Sequence, residues 1–148
     1  MLRAGTIGLV LLLTLFPLAA FGSDREELIS FADALFAEGD HYRAITEYKR
    51  FLHLFPADGE APRAALRIGE SLLAGRRWEE SERSLVALRH DYPASAEAGR
   101  AALLLAEIPW RQGRHAAAEE RFRQLTVAAP TAAARDEARY RLAWALLE

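Results

Sequence analysis

The side chains equipped for chemistry are four histidines and a scatter of carboxylates, and their spacing decides what they can do. His41, His53, His90 and His115 belong to the residue type that ligates metals and relays protons. His53 and His90 lie 37 residues apart, and His41 and His115 are separated by twice that interval. No H-x-x-x-H pair or His–carboxylate set on one helix face closes a ligand shell. These imidazoles read as partly solvated residues near helix ends. The adjacent pairs Glu26–Glu27, Glu79–Glu80 and Glu119–Glu120 fare no better. Neighbours on a helix diverge by about 100°, so they cannot converge on one substrate as an acid and a base must. There is no G-x-S-x-G elbow and no phosphate loop, and no catalytic, cofactor or metal site is expected.

Composition narrows the field further. With no cysteine the chain has no disulfide and no lipid-modified cysteine. Net charge is −2, and Arg76–Arg77 and the Arg111–Arg114 stretch are too short to form a nucleic-acid stripe. About half of the residues are apolar, ample for the core of one domain.

The histidine interval belongs to the whole chain. Pro56, Pro93 and Pro130 are spaced by 37 residues, as are Ala44, Ser81 and Ala118, and Tyr48, Leu85 and Phe122. Self-similarity at a period of roughly 20–50 residues is the signature of stacked repeats. Leu28, Phe31, Ala32 and Leu35 recur with helical periodicity. Gly39–Asp40 then ends one helix and caps the next, which carries Ala44, Ile45, Tyr48, Phe51 and Leu52 and stops at Pro56. Ser23–Asp24–Arg25–Glu26 has capping-box spacing for the first helix. Small residues at Ala32, Gly69, Ala106 and Ala143 let paired helices approach closely. Pro109 should kink or shorten the helix that contains it and push Ile108 off helical angles. No segment alternates with period two, so no strand is expected.

Residues 1–22 are different in kind. Arg3 precedes the apolar stretch Ile7–Phe21, and Ala20-Phe21-Gly22 offers small residues at both positions of a cleavage site. A signal peptide cleaved after Gly22 is the first expectation, with an uncleaved anchor as the alternative. The remainder, 23–148, is then an exported, periplasmic domain.

The segment LFAEGDHYRAITEYKRFLHLFP resembles the tetratricopeptide repeat (TPR) family. Gly39-Asp40, Ala44, Tyr48 and Pro56 match that family's pattern in the first copy. Gly69, Ser81, Leu85 and Pro93 stand in for it in the second, and Ala106, Gly113, Ala118, Phe122 and Pro130 in the third. The usual period is about 34 residues, so each copy here is slightly longer. The connectors YPAS and FPADGEAPRAA, following an export signal, look like bacterial envelope TPR proteins of the Tol-Pal-associated division-coordinator and outer-membrane-assembly types. The lipidated cysteine of the assembly lipoproteins and the coiled coil of the coordinator have no counterpart in the chain.

The resemblance implies an all-α fold, an α–α superhelix of three helical hairpins plus one extra C-terminal helix. The hairpins fall at about 25–58, 62–95 and 99–132, with a half-repeat at 134–148. It further implies a non-catalytic protein–protein interaction scaffold whose first helices line a concave groove. Ile29, Asp33 and Phe36 stand at the groove positions of the first hairpin. The second supplies Arg63, Leu66, Arg67, Glu70 and Leu73; the third, Arg100, Leu103, Glu107, Trp110 and Arg111; the last helix, Tyr140, Trp144 and Leu147. That mixture suits a peptide or amphipathic helix of an envelope partner, with Trp110 and Trp144 as anchors. The carboxylate-clamp type of groove is excluded, because Ile29 and Asp33 replace its Lys and Asn. The apolar 138–147 segment raises a second expectation, docking or self-association through the unfinished last helix. A longer natural protein is the other explanation of that segment.

Overall fold

The computed structural model describes residues 20–146. They form seven α-helices: α1 (Ala20–Ala37), α2 (His41–Leu54), α3 (Ala61–Ala74), α4 (Trp78–Asp91), α5 (Ala96–Arg111), α6 (His115–Ala128) and α7 (Ala132–Ala145). Among the described residues there is no strand, and no helix is long and apolar enough to cross a membrane. Each helix packs on the next as an antiparallel pair, giving three hairpins and a single final helix. The odd-numbered helices also touch one another in succession, α1 on α3, α3 on α5 and α5 on α7. Among the described residues the backbones of the even-numbered helices stay farther apart. A ribbon whose one layer is tighter than the other must curve toward the tighter layer, so α1, α3, α5 and α7 line the concave side.

The turns explain why the repeat is obeyed. The position after the first helix of each hairpin takes a left-handed backbone, with φ of +80° at Gly39, +56° at Arg76 and +75° at Gly113. Glycine adopts that region without penalty; Arg76 does not. Side-chain caps close other ends: Asp40, Ser95 and Thr131 accept from the backbone amides of Arg43, Ala98 and Ala134, each at 3.1 Å.

Between paired helices a small residue lies beneath a large one. Ala32 shares a buried cluster with Tyr48, and Ala106 shares another with Phe122. Gly69 faces Leu85 so closely that a methyl group there would collide with Leu85 Cδ2. Ala44, Ser81 and Ala118 are all fully buried, and the Ser81 hydroxyl donates to the Gly69 carbonyl at 2.8 Å. Each large side chain taken from water contributes about 2–3 kcal/mol.

Two local expectations are corrected. α1 begins at Ala20, so Ser23 lies within the helix and the Ser23–Glu26 motif is not its capping box. Pro109 does not shorten α5, which runs on to Arg111, and Ile108 is helical. Proline sits in the last turn, where one intrahelical bond is lost, and that bond's acceptor, the Leu105 carbonyl, takes Arg121 Nη1 from α6 at 2.7 Å.

A candidate peptide groove on the concave face

An ion-pair ladder runs across the concave helices in step with the repeat. Asp33, Glu70 and Glu107 occupy equivalent positions 37 residues apart on α1, α3 and α5. Each meets an arginine of the next odd-numbered helix. Arg63 Nη1 reaches both oxygens of Asp33, at 2.8 and 2.9 Å. Arg100 Nε lies 4.0 Å from Glu70, which also accepts from Arg67 at 2.9 Å. Arg141 Nη1 lies 3.4 Å from Glu107, which accepts from Arg111 at 2.8 Å. The third rung uses Arg141 because the position equivalent to Arg63 and Arg100 is Glu137, which binds Arg141 Nε at 2.8 Å.

The first rung reaches the core. The Tyr48 hydroxyl donates to Asp33 Oδ1 at 2.6 Å from beneath the groove. Partial burial disfavours the Asp33 carboxylate, but hydrogen bonds from Arg63 and Tyr48 outweigh it and hold its pKa below the ordinary value. Burial first, and then the bond to Asp33, push the Tyr48 phenol upward. Arg67 lies over the Phe36 ring, 4.4 Å from its centroid, a cation–π contact between α3 and α1.

The ladder stops at α7, where Trp144 takes the register position of the acids. A cleft of about 380 Å³ opens there between α5, α6 and α7, lined by Glu107, Trp110, Phe122, Tyr140, Arg141, Trp144 and Ala145. Phe122 is its buried floor. Trp110 stands edge-on to His115 at 4.3 Å between centroids, and Tyr140 edge-on to Trp144 at 6.5 Å. Tyr140 and Trp144 remain 58% and 55% exposed, which is unusual for two neighbouring aromatic rings on one helix. The arrangement offers apolar walls, one carboxylate and one guanidinium. It can enclose a side chain and hydrogen-bond the peptide backbone beside it.

The structure thus brings Glu107, Trp110, Tyr140 and Trp144 together in one cleft, and Arg63, Arg67, Glu70, Arg100 and Arg111 along the ladder. It takes Leu73 and Leu103 out of the groove: at 3% and 8% exposure they are core, as is Ile29. On an inner helix the next helix of the ribbon covers the flank where these side chains lie. Leu66 is partly buried against the central core, and Leu147 lies outside the described residues. Arg141 and Phe122 went unassigned to the site. Arg141 stands at twice the 37-residue interval from Arg67, a signal hidden by Leu104 in the intervening copy.

A tetratricopeptide repeat family model matches residues 29–86 and 66–133. No curated protein matches the chain.

Proposed function

The chain belongs to the tetratricopeptide repeat family, and from that premise we propose that it is a non-catalytic scaffold of the bacterial cell envelope that holds a peptide or helix of a partner protein in its concave groove. Tetratricopeptide repeats generally mediate protein–protein interaction. The observation that carries the reading for this chain is the aromatic cleft. Trp110, Tyr140 and Trp144 meet where the ion-pair ladder ends, so an apolar side chain of the partner anchors there. The ladder arginines then hold the segment's carbonyls and carboxylates. Export rests on the N-terminal sequence: a basic start, an apolar run and small residues before Ser23. The envelope type suggested by the connectors, that of division coordinators and outer-membrane assembly factors, is part of the same proposal.

Affinity capture from a bacterial envelope extract tests it, with the full chain and its Trp110→Ala/Trp144→Ala variant as baits. A protein retained by the first and lost by the second, at unchanged helical circular dichroism, is the expected result. Equal retention by both baits overturns the groove reading.

A further inference from the structure

The outer face of the ribbon carries two clefts that the repeat makes equivalent, and the chain covers them to different degrees. The first, of about 270 Å³, lies between α2, α3 and α4, with Leu52, Ala65, Ile68, Ser84 and Leu88 in its lining. The second, of about 330 Å³, lies between α4, α5 and α6. Thirty-seven residues on from those five stand Arg89, Ala102, Leu105, Arg121 and Leu125, and all of them line the second cleft.

The first cleft is covered from within. Leu52 packs against the buried clusters on both sides of it. Tyr92, at the end of α4, reaches across to donate its hydroxyl to the Pro56 carbonyl at 3.1 Å. Leu88 is left fully buried. In the second cleft Arg89 and Ala129 stand where Leu52 and Tyr92 stood. Arg89 is exposed, and the Ala129 methyl is too short to reach across. Leu125, the equivalent of Leu88, therefore stays only partly buried, and Val86 is 52% exposed on the cleft wall. An aliphatic chain and a ring that the first cleft owns are missing from the second.

Charge narrows what can supply them. Three charged side chains line the second cleft: Glu82, Arg89 and Arg121. Arg121 and Glu82 neutralise each other across it at 2.9 Å. Arg89 has no ion-pair partner among the described residues, so the cleft carries one uncompensated positive charge. Both helices that flank it are already in place, so the succession of the ribbon puts no further helix between them. Residues 1–19 hold no acid, and their one charged side chain is Arg3, which would meet Arg89 with like charge.

We propose that the cleft between α4 and α6 is a docking site, separate from the concave groove, for a short acidic segment of another protein. That segment inserts an aromatic or aliphatic side chain over Leu105 and Leu125 and sets a carboxylate on Arg89. It supplies from outside what Leu52 and Tyr92 supply one repeat earlier. The apolar contact gives affinity, and the charge selects acidic over basic sequences.

The probes are two capped tetrapeptides, EFLE and KFLK, titrated into the methyl-labelled full chain and followed by NMR at low salt. The expected result is saturable shifts of the Val86, Leu105 and Leu125 methyls, with EFLE about three- to tenfold tighter than KFLK. Arg89→Glu inverts that preference. Arg89→Leu restores the side chain that covers the first cleft, so the shifts are lost with both peptides. Trp110→Ala leaves them unchanged, which separates this site from the groove. Equal affinity for the two peptides, shifts that survive Arg89→Leu, or no shift at about 10 mM peptide overturns the proposal. So does a concentration-dependent dimer in light scattering that Arg89→Glu dissolves, because a second copy would then be the occupant.

Discussion

Arg121 Nη1 donates to the Leu105 carbonyl at 2.7 Å, and Leu105 is the residue whose helical partner would have been the amide that Pro109 lacks. The same guanidinium gives Nη2 to Glu82 at 2.9 Å. One side chain on α6 therefore repairs α5 and ties both to α4. A proline that costs about 3 kcal/mol or more in a free helix interior is tolerated near the helix end, with its orphaned acceptor paired.

This relationship makes a double-mutant cycle informative. Arg121→Ala should cost about 1–3 kcal/mol, because it strands a partly buried carbonyl and frees Glu82. Pro109→Ala restores an amide to bond Leu105, so Arg121→Ala should cost less in that background, by about 1 kcal/mol. Urea melts of the four proteins check it. Additive costs would show that Arg121 acts through Glu82 alone.

Arg76 stands where the other two hairpins have glycine, at a φ of +56°. A non-glycine residue in the left-handed region costs about 1–2 kcal/mol, part of which glycine returns as greater freedom of the unfolded chain. Arg76→Gly should stabilise the protein by about 0.5–1 kcal/mol. Gly39→Ala, at φ +80°, should destabilise it by a similar amount or more. Thermal melts should therefore move in opposite directions, and a fall in the midpoint with Arg76→Gly refutes the account.

The hairpins were legible because the repeat writes each contact three times. Ala44, Ser81 and Ala118 had to be small, and Tyr48, Leu85 and Phe122 large, whatever the turns did. What escaped was set by single long-range contacts. Pro109 looked disruptive because the rescuing donor lies on the next helix, and nothing in local spacing announces that Arg121 points back at Leu105. Leu73 and Leu103 looked like groove residues because equivalent positions carry Phe36, Trp110 and Tyr140, whose larger rings reach the surface while leucine does not. Arg141 was missed because its repeat equivalents are Arg67 and Leu104, and one apolar copy breaks the pattern.

Asp33 links acid stability to the groove. Its folded-state pKa lies below the unfolded value, so its stabilisation is fully present above the unfolded carboxylate pKa of about 3.9. That contribution is lost as the pH falls through the depressed folded value. Asp33→Asn should reduce stability at neutral pH and flatten the loss of stability below about pH 4 relative to the parent chain. Midpoints measured from pH 7 to pH 2 check this. Parallel curves would mean that Asp33 titrates alike in both states.

The two cleft tryptophans should separate folding from binding. Trp110 is half-buried, packed on His115 and against the cluster of Ala106, Ala118 and Phe122. Trp110→Ala should therefore cost about 1–2 kcal/mol of stability as well as partner affinity. Trp144 is 55% exposed and stands edge-on to the equally exposed Tyr140, so Trp144→Ala should change stability by less than about 0.5 kcal/mol. If the cleft anchors a partner side chain, Trp144→Ala should still weaken binding by about 2 kcal/mol, roughly thirtyfold. Chemical denaturation reads the first quantity, and titration with a captured envelope partner reads the second. Trp144→Ala with intact affinity would move the anchor away from this cleft, and Trp144→Ala with a lost fold would make the indole a structural residue.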